Sequence, residues 1–166
     1  MTTSDPTTPL DLHRDNVRPE WIDYNGHMNV AYYLLAFDHA TDAVLDRFGI
    51  GKGYVAAENR SMFVVDVHLT YAREVTEGVP LHFKSRLLGA DAKRLHLFHE
   101  MRHGDDGWLA ATAEFMLLHV DLAVRRACSF PPDVAAALAA QAGAQSAQPW
   151  PPQAGRAVKR LDATGR

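Results

Sequence analysis

The stretch that most limits what this chain can become runs from Val30 to Phe48. Leu34, Phe37, Ala40, Val44 and Phe48 recur there at spacings of three and four, the period of a helix with one buried face. Beyond Phe48 the patterns are those of strands. Gly49-Ile50-Gly51-Lys52-Gly53 stops the helix and lets the backbone reverse. Met62 to Tyr71, Val79 to Leu88, Arg94 to Arg102 and Trp108 to Leu122 then read as strands, divided by Glu77-Gly78 and by His103-Gly104-Asp105-Asp106-Gly107. Links this short favour antiparallel pairing. An early strand around Leu12 to Arg18, one long helix and four strands make an α+β order, and the expected arrangement is an antiparallel sheet wrapped around a single central helix. Pro131-Pro132 ends the last strand, and Asp133 to Gln141 predicts a short alanine-rich helix. Gly143 to Arg166 shows no apolar period and reads as a disordered tail, which leaves one domain over residues 10–142 and a tail over 143–166.

Composition removes several function classes. The 166 residues carry a formal net charge of −3 with no basic stripe, which argues against nucleic acid as a partner. Cys128 is the only cysteine, so no internal disulfide can form; the thiol reads as inert and the cytoplasm as its redox setting. No apolar run is long enough to cross a bilayer, and Met1-Thr2-Thr3-Ser4-Asp5-Pro6 lacks the layout of a signal peptide, so a soluble protein with no membrane partner is expected. Among nine histidines, His96, His99 and His103 form the closest cluster. On a strand His96 faces opposite to the other two, so neither a metal site nor a cofactor is expected. No glycine-rich phosphate loop is present.

The chemistry gathers in Trp21-Ile22-Asp23-Tyr24-Asn25-Gly26-His27-Met28-Asn29. This segment holds a carboxylate, a glycine turn and a helix start, parts that suit hydrolysis of a thioester. Asp23, beside the positive end of the helix, stays ionised and can act as nucleophile or general base. Asn25 or Asn29 can cap the helix. Gly26, His27 and Met28 are expected to hold the developing oxyanion through their backbone N–H groups. The His27 side chain either orients Asp23 or turns away, and Asn29 serves as a cap or positions water.

Asp23, Gly26, His27, Asn29, Tyr32 and Tyr33 together resemble the hotdog-fold acyl-CoA thioesterases of the 4-hydroxybenzoyl-CoA thioesterase family, over roughly Val17 to Phe130. A closer likeness is to the betainyl-CoA thioesterase modules of carnitine breakdown. It rests on Asp23 to Met28, on Ala40-Thr41-Asp42-Ala43 and on Gly89 to His99. The resemblance implies a hotdog fold, an acyl-CoA substrate, and a homodimer or homotetramer with sites built between protomers. It also implies a quaternary-ammonium pocket drawn from Trp21, Tyr24, Tyr32, Tyr33 and Phe37, with Asp38 or Asp42 adding negative charge. Without the likeness those rings read as core.

Lys93 and Arg94, at a predicted hairpin, are the leading candidates to meet the phosphates of CoA, with Arg86, Arg125 and Arg126 behind them. Two rivals stay open: a non-catalytic acyl-CoA-binding hotdog protein, and a hotdog hydratase or dehydratase. A pure binder has no need of an anion at Asp23, and a hydratase would want an Asp–His pair acting on a double bond.

Overall fold

The computed structural model describes residues 5–159 and Leu161. In chain order it comprises β1 (Leu10–Asn16), a 3-10 turn (Pro19–Trp21), α1 (Val30–Arg47), α2 (Lys52–Glu58), β2 (Arg60–Tyr71), β3 (Pro80–Ala90), β4 (Arg94–His103), β5 (Leu109–Asp121), β6 (Arg126–Ala127) and α3 (Pro132–Gln145). The strands form one antiparallel sheet in the order β1-β3-β4-β5-β2, with β6 paired to the end of β5.

The helix α1 lies in the hollow of this curled sheet because its apolar stripe has nowhere else to go. Tyr33, Ala36, Phe37, Ala40, Thr41, Val44 and Leu45 are buried. Phe37 meets Phe83 of β3 edge-on at 5.7 Å between centroids, and both rings are fully enclosed. Burial of a side chain of this size stabilises by about 1.5–3 kcal/mol. Leu34, expected on the buried face, is 39% exposed because the stripe is centred on Ala36, Phe37 and Ala40. The glycine run does stop α1, with Gly49 at a φ of 70°, but the chain then makes the short helix α2 before β2 begins. β1 lies two residues earlier than its alternation indicates.

The end of the chain departs most from expectation. Helix α3 continues past Gln141 to Gln145, and the segment read as a disordered tail is held against the sheet as far as Gly155, beyond which residues 156–159 are exposed. Residue 160 and residues 162–166 lie outside the described residues. The anchors are polar and non-periodic, which is why hydropathy misses them. Buried Gln145 accepts from the Leu87 N–H at 2.7 Å and donates to the Thr8 carbonyl at 2.7 Å. Arg86 donates to the carbonyls of Pro149 and Gln145, so its guanidinium is committed to this packing rather than to a ligand. Gly155 N–H donates to Glu114 Oε2 at 2.7 Å, and Pro151 and Ala154 are buried.

One polar chain crosses the core. His99 of β4 is fully buried and joins Ser85 Oγ at 2.8 Å through Nδ1 and Thr41 Oγ at 3.1 Å through Nε2. The Thr41 hydroxyl in turn donates to the Phe37 carbonyl at 3.0 Å. Burial lowers the His99 pKa to about 3. The unfolded chain therefore binds a proton near pH 6.5 that the folded chain refuses. Stability from this group is complete above pH 6.5 and is lost as pH falls from 6.5 toward 3, by up to about 1.4 kcal/mol per pH unit. In urea unfolding at a series of pH values, His99→Gln should show a shallower loss of stability than the parent over that window. Identical slopes would exclude His99 as the cause.

Candidate active site

The loop between β1 and α1 is built by short-range rules. Pro19 opens the 3-10 turn, and Trp21 beyond it is buried. Ile22 and Met28 pair as an isolated antiparallel bridge, so the residues between them form a tight hairpin. It closes with Gly26 N–H donating to the Asp23 carbonyl at 3.0 Å, and Gly26 adopts a φ of 80°, a conformation that side chains disfavour. Asn29 then caps α1, its Oδ1 accepting from Ala31 N–H at 3.0 Å.

The same Asn29 reaches back to the carboxylate. Its Nδ2 donates to Asp23 Oδ2 at 3.1 Å, while Asp23 Oδ1 accepts from Asn25 N–H at 2.8 Å. One asparagine thus fixes the helix start and the orientation of Asp23 together. Asp23 opens into a cleft of about 450 Å³, whose walls include Tyr24, His27, Tyr33, Tyr71 and Glu74.

Two of the three N–H groups expected to hold an oxyanion are engaged elsewhere. Gly26 N–H is spent on the hairpin, and Met28, which is buried, donates its N–H to the Val75 carbonyl at 2.9 Å. The N–H groups of His27 and Val30 make no hydrogen bond among the described residues, and both residues line the cleft. They are the donors positioned at the helix start. The His27 ring leans toward Glu74, with Nε2 3.7 Å from Oε2.

The expected aromatic pocket divides. Tyr24 and Tyr33 line the cleft, Tyr24 almost wholly exposed and Tyr33 with its ring edge-on to Tyr71 at 5.1 Å. Burial raises the pKa of the Tyr33 and Tyr71 hydroxyls, keeping both neutral. Trp21, Tyr32 and Phe37 do not line it. Trp21 stacks on Tyr32 at 5.7 Å and Phe37 sits in the core. Asp38 and Asp42 are exposed on the outer face of α1 and do not line it either, because a four-residue spacing keeps them with Asp46 on the side away from the sheet. Burial and the neighbouring charges of Asp38 and Asp46 raise the Asp42 pKa.

Lys93 and Arg94 do occupy the β3–β4 hairpin, where Asp91 accepts from both backbone N–H groups and from Arg94 Nε at 2.7 Å. These bonds lower the Asp91 pKa to about 2. The hairpin is far from Asp23 within one chain. Strand register puts Tyr71, Ala111, Met101 and Phe83 in one row near the cleft end of the sheet, and Arg94 lies seven residues further along β4. That span is roughly 23 Å.

Sequence reading missed Tyr71, Arg73 and Glu74, which reach the cleft from the end of β2 and the link beyond it. No local motif marks them. Arg73 is the cleft's one cation among the described residues, and its guanidinium lies over the Trp108 ring at 4.1 Å.

Residues 17–138 match the model of the thioesterase-like superfamily. The chain belongs to that superfamily. Betainyl-CoA thioesterase of Pseudomonas aeruginosa is 40% identical over 149 residues, covering 90% of this chain and 94% of the relative. L-Carnitine dehydrogenase/betainyl-CoA thioesterase of Agrobacterium fabrum is 41% identical over 92% of this chain, which spans 31% of that longer protein. A Staphylococcus aureus protein solved in complex with CoA superposes with a TM-score of 0.84 at 27% identity, covering 93% of this thioesterase and 98% of the solved chain. The antiparallel sheet around one long helix is the hotdog fold of this superfamily.

Proposed function

We propose that this thioesterase hydrolyses betainyl-CoA, adding water across the thioester bond to release the betaine carboxylate and the CoA thiol. The observation that carries the chemistry is Asp23, held by Asn25 and Asn29 beside the free N–H groups at the start of α1. The thioester oxygen sits against His27 and Val30 N–H, where negative charge developing in the tetrahedral transition state is stabilised. Asp23 either attacks the carbonyl carbon or takes the proton from an attacking water. CoA thioesters and the free Cys128 thiol both suit a cytoplasmic setting.

The names of the relatives motivate the acyl group, and the cleft has chemistry for it. In a betainyl thioester one methylene separates the quaternary nitrogen from the reacting carbonyl, so the cation's partners must adjoin Asp23. Tyr24, Tyr33, Tyr71 and Glu74 do so, and Arg73 is drawn off by Trp108. Aromatic faces attract such a cation by roughly 0.5–2 kcal/mol each.

We also propose a homodimer formed through the free edge of β2. That edge exposes Phe63, Val64 and Val65, an apolar run of the kind that a lone sheet edge avoids. Antiparallel pairing of two such edges reverses the second sheet end for end. The second copy's Lys93–Arg94 hairpin then comes to the end of the sheet that holds Asp23, where it can meet the phosphates of CoA.

Three measurements check these statements. Asp23→Asn should lower kcat for thiol release by about a hundredfold or more while leaving the melting temperature close to the parent's. Betainyl-CoA should exceed its neutral isostere, with tert-butyl in place of trimethylammonium, in kcat/KM; Glu74→Gln should narrow that ratio by about tenfold. Equal rates for both substrates would remove betaine from the reading, and an unchanged ratio in the variant would remove Glu74. Light scattering should give twice the chain mass for the parent and a shift toward monomer for Val65→Lys.

A further inference from the structure

We propose that His13, Asp15 and His39 form a binding site for one divalent transition-metal ion of the zinc type, separate from the thioester cleft. Each residue offers one donor atom, and the three donors lie within 4.8 Å of one another at half-buried positions. His13 and Asp15 are two residues apart on β1, so they share a face, and His39 meets them from α1. His39 Nδ1 is 3.8 Å from Asp15 Oδ2.

The strand is turned to make this possible. An inward-facing position on β1 would ordinarily be apolar, yet His13 and Asp15 face in while Leu12 is 37% exposed. The cause is a register shift between Leu10 and His13 in the pairing with β3, since an inserted residue reverses which side chains face the core. Inward polar groups can also protect a sheet edge from pairing with other chains. Edge protection does not account for His13 Nε2, which is buried with no hydrogen-bond partner among the described residues. Nor does it call for a second imidazole from α1.

The donor set selects the ion. Two imidazole nitrogens and one carboxylate oxygen suit zinc, cobalt(II) or iron(II), whereas calcium and magnesium require oxygen cages. Three such donors around an ion at about 2.05 Å stand roughly 3.3 Å apart, so modest side-chain rotation closes the set. The partly exposed His39 leaves a further coordination position open to solvent. Arg18 is the competitor, its guanidinium 3.4 Å from the same Asp15 Oδ2. The bound ion would tie the edge strand β1, which is paired on one side only by β3, to the central helix.

The test titrates chelator-treated full-length protein with ZnCl2 and with CoCl2. The expected result is one ion per chain, a visible cobalt absorption band, and a higher melting temperature with zinc. His13→Gln and His39→Gln, checked for folding by circular dichroism, should each lose the band and the thermal shift. Arg18→Gln, which removes a competing cation and no ligand, should bind zinc more tightly by about threefold or more. Absence of the band in the parent would overturn the proposal, as would its persistence in both histidine variants or an unchanged affinity in Arg18→Gln.

Discussion

Enclosure of the apolar stripe of α1 by the sheet is the constraint on which the other features depend. A helix eighteen residues long with Phe37, Ala40 and Val44 at complete burial needs a concave partner, and five antiparallel strands supply it. Because the sheet must curl to reach both flanks of the helix, its outer strands β1 and β2 become free edges. The N-terminus of α1 emerges at one end of this hollow with its first N–H group, that of Val30, without a partner among the described residues. Asp23 sits there, so the candidate chemistry is a consequence of how the helix is buried and where it begins.

Asn29 joins the two levels. Its side chain satisfies one orphan donor of the helix with Oδ1 and orients Asp23 with Nδ2. A residue with an acceptor and a donor at separate ends of one planar amide can do this, which an ionised aspartate at a cap, an acceptor only, cannot. The His99 chain does comparable work deeper in, where it joins α1 to β3 and β4 through groups that must be neutral to remain buried.

The two edges of the sheet are managed differently. At β2 the apolar run Phe63-Val64-Val65 is offered outward, which suits a second copy. At β1 a bulge turns His13 and Asp15 inward and Leu12 outward, so that edge is made polar on its protected side. Such asymmetry gives each edge its own chemistry, with oligomerisation assigned to one and an ion to the other only by proposal.

Much of the architecture was legible in the chain itself, because helix and strand periods, glycine turns and caps are local. The span of α1, the four long strands and the Asp23–Asn29 loop are all set by residues within a few positions of one another. Local signals misled where contacts are distant. The segment after Gln141 has no apolar period, yet Gln145, Arg86 and Glu114 hold it by hydrogen bonds to partners more than forty residues away. The same reason divides the aromatic residues. Trp21 and Tyr32 are as close to Asp23 in sequence as Tyr33, but they stack on each other away from the cleft and Phe37 faces the core, while Tyr71 and Glu74 arrive from the end of β2 and the link beyond it. Sequence by itself determined the elements and the carboxylate at a helix start, since these depend on neighbours along the chain. Only the tertiary structure decided which rings line the cleft, which N–H groups remain free and what lies at each edge, because those depend on strand register and on the direction in which the helix is buried.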